Sequence, residues 1–247
     1  MPASRRQRGQ RRCRRFRRRR SFGAAALLAD LAPLLLSLRV AGLATFIALA
    51  LGVPLAWALA RRRFPGRDLV SILVLLPMVL PPTVLGYYLL LLIGRAGPVG
   101  RFAEAAGIGR IVFTPAAAVI ASVVAALPFL VRAAQGGFEQ ADPVYEEAAR
   151  TLGRKEVAIF FTVSVPLAWR SILAGLALAF ARAMGEFGAT LMVAGNIPGR
   201  TQTASIAIYD AVQAFRLADA HLLAFILSAV TGAILLLLTR VGGRSGW

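Results

Sequence analysis

Arg182 and Glu186 interrupt the apolar stretch at residues 171–193 and stand four residues apart, so a helix would carry them on one face where they can neutralise each other. An ionisable residue at membrane depth is a candidate site by default. Glu186 could act as an acid or base only if a second reactive group converged on it, and no other long apolar stretch contains a His, Cys or carboxylate. Cys13 and His221 are the only residues of their types, which excludes a disulfide framework and a multi-ligand Cys/His metal site within one chain. Nothing matches GxxxxGK[ST], so no P-loop is present. Two readings of the pair stay open: an internally satisfied ion pair, or a polar element beside a pathway.

The surroundings of this pair are those of a membrane protein. The 247 residues are 58% hydrophobic and 16% charged, too apolar for an ordinary soluble domain. The net charge of +18 is concentrated rather than spread, with an arginine run at residues 5–20 and no acidic residue among them. It therefore does not argue for a nucleic-acid partner. Residues 40–60, 69–93, 111–131 and 222–239 are uncharged and long enough to cross a bilayer, and 171–193 makes a fifth span. The expected fold is all-α and polytopic, with five transmembrane helices in one membrane domain.

Arg61, Arg62, Arg63 and Arg67 follow the first span, and Arg132, Arg150, Arg154, Lys155 and Arg170 surround the third connection. By the positive-inside rule both connections face the cytoplasm. This orientation leaves the basic tail, residues 1–22, on the outer side, where positive charge is disfavoured. Three readings compete: a true start downstream of the tail, an extra membrane segment at residues 22–38, and a twin-arginine-like export signal. The membrane domain proper is read as residues 23–247.

Within the third connection, residues 139–166, Asp142 can cap a helix, Pro143 suits its first position, Glu146 and Glu147 favour its positive end, and Gly153 can close it in the left-handed conformation. A second helical stretch is expected to reach Val165, with Pro166 opening the next span. The order Glu147-Ala148-Ala149, three residues, Gly153, nine residues, Val163-x-Val165-Pro166 resembles the EAA loop of the membrane subunits of bacterial ABC importers, with valine at both aliphatic positions. The resemblance implies a cytoplasmic coupling helix that docks on an ATPase subunit. Ala148, Ala149 and Gly153 would offer it a small-residue seat, and Glu147 a polar contact.

Leu80-Pro81-Pro82-Thr83-Val84-Leu85-Gly86-Tyr87, Ala181-Arg182-Ala183-Met184-Gly185-Glu186-Phe187-Gly188 and Asn196-Ile197-Pro198-Gly199-Arg200 are similar to the permease subunits of molybdate importers. Sulfate and tungstate permeases share the general pattern. The resemblance implies a type I ABC importer permease in the bacterial inner membrane. It also implies two partner ATPase subunits that carry ATP and Mg, and an external oxyanion-binding protein. No cofactor or metal is expected on this chain, nor catalysis by it, and its remaining contacts are with membrane lipid.

Five helices are few to enclose a route for a dianion, so a homodimer is expected. Pro77, Pro81 and Pro82 remove backbone donors from the second span and kink it. With Thr83 they are read as either a packing kink or a gate. Gly185 and Gly188 are expected to permit close helix contact, and Pro198-Gly199 to form a turn in an outer polar loop. The rival classes are a membrane-embedded enzyme and an ion-coupled transporter, and the second would show matched broken helices in two halves.

Overall fold

The computed structural model describes residues 24–107 and 109–242, and every regular element among them is a helix. The arginine run lies outside the described residues. The helices are α1 (Ala24–Arg61), α2 (Arg67–Val79), α3 (Pro82–Ile93), α4 (Pro98–Ala105), α5 (Pro115–Gln140), α6 (Val144–Thr151), α7 (Glu156–Met184), α8 (Gly188–Ala194), α9 (Ala204–Gln213) and α10 (Leu217–Gly242). Four of them, α1 from Leu31 onward, α5, α7 and α10, are long and apolar enough to cross a membrane, and α2 and α3, bent sharply against each other, are long and apolar enough only as a pair. The expectation of about five spans agrees with these four, or five when the bent pair is counted as one span. The compact unit begins at Pro33.

Several ends of the spans differ from expectation. α1 runs unbroken through Arg39, whose long side chain is exposed and can extend along the helix without ending it. Among the described residues no separate segment ends at Leu38. The stretch at 69–93 is not one kinked helix but two, bent by 119° at Leu80 and Pro81. Pro81 and Pro82 have no N–H to offer the carbonyls of Pro77 and Met78, and Leu80 turns into an extended conformation.

Pro166 does not open the fourth span, which begins ten residues earlier at Glu156. A widened π-turn over Phe160–Ser164, in which the Val165 N–H donates to the Phe160 carbonyl, takes up the missing donor of Pro166, so the helix passes through it. The span then ends at Met184 rather than Val193, because Gly185–Phe187 break the chain before α8 starts. The connection expected over 139–166 is thus confined to the residues between α5 and α7, and the second helical stretch belongs to the span itself.

α5 lies at the centre. One of its faces joins α1 and α7 through Ala126, Leu130, Ala134 and Phe138, and another joins α3 and α8 through Ala117, Ala118, Ala121 and Ala125. In lipid, exchanging one apolar neighbour for another gives no hydrophobic gain, so close packing between small residues must hold such helices together. Gly137 and Gly175 provide it between α5 and α7. A Cβ at Gly175 would lie 2.9 Å from the Ala133 Cβ and 3.2 Å from the Leu130 carbonyl, whereas one at Gly136 would meet nothing within 4 Å.

Alanine is favoured over glycine in a helix by about 1 kcal/mol, so Gly136→Ala should raise the melting temperature of the purified chain. Gly175→Ala should lower it, because overpacking, about 1–3 kcal/mol, outweighs the same propensity gain. A melting temperature for Gly175→Ala equal to that of Gly136→Ala would show that this contact does not constrain the helix pair.

Candidate functional site

The short helix α6 follows from its local sequence. The Asp142 carboxylate accepts the Val144 N–H at 3.0 Å, and Pro143 has helical angles, φ −58° and ψ −24°. At the other end Gly153 sits at φ +77°. Its N–H donates to the Arg150 carbonyl and the Arg154 N–H to the Ala149 carbonyl, the paired bonds of a Schellman closure. Val144, Tyr145, Ala148 and Leu152 are exposed, as are Glu147 and Gly153, while Ala149 is partly covered. The exposed side of α6 therefore carries an apolar patch beside one carboxylate, broader than the small-residue seat expected of Ala148, Ala149 and Gly153.

The opposite side of α6 is anchored by a residue to which sequence reasoning gave no such role. Glu146 is 2% exposed. Its Oε1 accepts from Arg61 Nε at 3.1 Å and from the Ser164 hydroxyl at 2.8 Å, and Arg150 Nη2 lies 3.6 Å from Oε2. Arg61 also donates to the Ala141 carbonyl at 2.7 Å. One carboxylate thus ties α6 to the last residue of α1 and to the π-turn of α7, which sets Ser164 against it. Pro166 lies just beyond that turn and acts on the site through it. Arg150 bonds Glu156 at 2.7 Å, and this hydrogen bond raises the guanidinium above its ordinary pKa, so it stays charged at every accessible pH.

The pathway candidates divide into those that meet and those that do not. The break in the second span and the break after α7 come together: α8 packs on α3, and a Cβ at Gly188 would lie 2.7 Å from the Pro82 Cβ and 3.4 Å from the Thr83 nitrogen. Gly86, one helical turn after Pro82, completes the crossing, since its Cβ would fall 2.8 Å from that of Met192. The i,i+4 spacing of Pro82 with Gly86, and of Gly188 with Met192, is the pattern that could have revealed it.

Gly185 is a correction. Its Cβ would meet nothing closer than its own helix's carbonyl at 3.6 Å, and its φ is −87°. It lies exposed at the end of α7 without a close helix neighbour. Pro77 lies inside α2, whose residues are not buried within the chain. Pro81 precedes α3 with extended geometry.

Arg182 and Glu186 do pair, with Nη1 2.6 Å from Oε2 and the carboxylate almost wholly buried. Oε2 receives no well-aligned hydrogen bond, so charge rather than directionality holds the two together. The other oxygen accepts the Ala189 N–H at 2.8 Å and so caps the first turn of α8. Among the described residues no cluster of three His, Cys, Asp or Glu could hold a metal. The polar loop after α8 turns at Pro198 and Gly199, where the Arg200 N–H donates to the Ile197 carbonyl and Gly199 has φ +75°.

The structure thus presents an exposed helix locked to two spans and two broken helices that meet. Two solved structures share this fold: a chain of a bacterial alginate ABC transporter (TM-score 0.70, 14% identity, 93% of this chain and 86% of that one) and one of the methionine ABC transporter MetNI (0.71, 16%, 90% and 98%). The sequence is 45% identical over 195 residues to the molybdenum transport system permease protein ModB of Azotobacter vinelandii, covering 79% of this chain and 86% of that protein. It is 44% identical over 180 residues to ModB of Escherichia coli K12, covering 72% and 78%. Residues 48–243 match the family described as the binding-protein-dependent transport system inner membrane component, and the chain therefore belongs to that family of multi-pass inner-membrane permeases.

Proposed function

We propose that this permease moves molybdate into the cytoplasm as a homodimer with two ATPase subunits and an external binding protein. The observation that carries the coupling reading is α6, which presents Val144, Tyr145, Ala148, Leu152 and Glu147 outward while Glu146 locks it to α1 and α7. A helix fixed on one side and open on the other is suited to receive a push from a partner. The concentration of arginines around it supports a cytoplasmic position. The chain has no P-loop, so ATP and Mg belong to the partner subunits, and closure of the two ATPases would draw two copies of α6 together and tilt the spans fixed to them. Importers that receive cargo from a binding protein need only a weak pathway, which accords with Arg182 being occupied by Glu186. The oxyanion reading rests on the extent of similarity to the ModB proteins.

The test is ATP hydrolysis by the reconstituted complex with its binding protein loaded in turn with molybdate, tungstate or sulfate. Stimulation by molybdate over sulfate is expected; stimulation by sulfate alone would retain the importer and overturn the cargo. Glu147→Lys, at an exposed position, should change stability by no more than about 0.5 kcal/mol yet release or uncouple the ATPase. Gly153→Glu should do the same at an added strain of about 1–2 kcal/mol for a side chain in the left-handed region. Normal import by Glu147→Lys and Gly153→Glu would show that α6 is not the docking element.

A further inference from the structure

An apolar slot opens where α1 ends and α7 begins, lined by Pro54, Trp57, Val157 and Phe160 and topped by Arg62 and Glu156. A wider polar cavity beside it shares Trp57, Arg62 and Glu156 and adds Arg61, Arg63 and Arg150. Two of these arginines are already committed, Arg61 to Glu146 and Arg150 to Glu156. Neither Arg62 nor Arg63 has a carboxylate within ion-pair distance among the described residues. The Arg62 guanidinium lies over the Trp57 ring, 5.1 Å from its centre, and Phe160 meets that ring edge-on at 5.5 Å. Trp57 stands one helical turn before Arg61, the end of the first span, and tryptophan and arginine concentrate at such span ends.

We propose that this slot and cavity form a binding site for an anionic phospholipid, with the phosphate on Arg62 and Arg63 and an acyl chain along Pro54, Trp57, Val157 and Phe160. A soluble anion would use the polar cavity alone and would leave the adjoining apolar slot unexplained, whereas an amphiphile fills both. Excess positive charge in the cavity selects an anionic over a zwitterionic head group. The occupant would bridge α1 and the start of α7, the two elements that Glu146 also joins. The site requires only that the chain lie in a membrane, so it stands whichever oxyanion is carried and whether or not α6 docks on an ATPase.

The experiment uses the full chain in nanodiscs of phosphatidylcholine mixed with phosphatidylglycerol, followed by native mass spectrometry of the lipids retained after transfer to detergent. The wild-type chain should retain phosphatidylglycerol over phosphatidylcholine. Each arginine near the membrane surface contributes about a fivefold preference, so Arg62→Gln with Arg63→Gln should reduce that preference about twenty-five-fold. The corresponding double lysine variant should keep most of it. Val157→Asp, at an exposed position that spares folding, should weaken retention by placing a carboxylate in the slot.

Unchanged retention by the double glutamine variant, or equal retention of both lipids by the wild type, would overturn the proposal. Displacement of phosphatidylglycerol by inorganic phosphate would also overturn it, in favour of a small-anion site. Loss of the ATPase from the assembled complex of the double variant, with lipid retention unchanged, would overturn it in favour of a protein-docking surface.

Discussion

Glu146→Ala is expected to destabilise the chain by about 3–5 kcal/mol, the usual cost of removing one partner from a buried ion pair. Glu146 is almost wholly buried and Arg61 is only 12% exposed, so water can compensate little for the lost partner. After the substitution Arg61 keeps only the Ala141 carbonyl and the Ser164 hydroxyl loses its acceptor. Glu147→Ala, one residue along on the exposed side, should change stability by no more than about 0.5 kcal/mol. Thermal unfolding of the two variants in detergent measures this contrast directly.

Glu146→Gln keeps the volume and one acceptor, so it provides a folded variant for transport even where the alanine variant is lost. On the proposed docking of the ATPase at α6, it should preserve ATPase binding through the outer face of α6 while lowering the import achieved per ATP hydrolysed, since α6 would move without carrying α1 and α7. Replacing both charges, Arg61→Met with Glu146→Leu, should recover much of the stability because no unpaired charge remains. Equal melting temperatures for Glu146→Ala and the parent would remove the clamp from the mechanism.

The two glutamates show where sequence is readable and where it is not. Asp142, Pro143 and Gly153 act within one turn of their own position, so residue type and spacing announce the cap, the first turn and the left-handed closure. Glu146 and Glu147 are alike by those local rules, and what separates them is a partner 85 residues away in sequence. Gly185 and Gly188 are alike in the same way, and only the arrival of Pro82 from another span makes the second indispensable. Spans were recognisable because hydropathy is a sum over many residues. Several of their ends were not, because Arg39 and Pro166 are passed by the helix through an exposed side chain and a π-turn, while Glu186, read as lying inside a span, instead caps the helix after it.

That last feature makes Arg182→Ala the second substitution with a large expected effect. The Glu186 carboxylate is 1% exposed and would be left with the Ala189 N–H as its remaining partner, at a cost of about 3–5 kcal/mol. The reverse change is not equivalent. Arg182 is 26% exposed, so after Glu186→Gln its guanidinium can reach outward, and the amide oxygen still caps α8. Glu186→Gln should therefore be milder, and combining it with Arg182→Met should recover much of the loss of Arg182→Ala.

The functional consequence follows from what Glu186 holds in place. It fixes the first turn of α8, which seats Gly188 on Pro82 where the two broken spans meet, so loosening it should disturb the crossing while leaving α6 untouched. Arg182→Ala should accordingly assemble with its ATPase yet import more slowly in proteoliposomes, the opposite of the pattern proposed for Glu147→Lys, in which loss of the ATPase is expected first. Import and melting temperature both at parental values in Arg182→Ala would mean that the α3 and α8 crossing holds without the ion pair, and that charge at this break is incidental to transport.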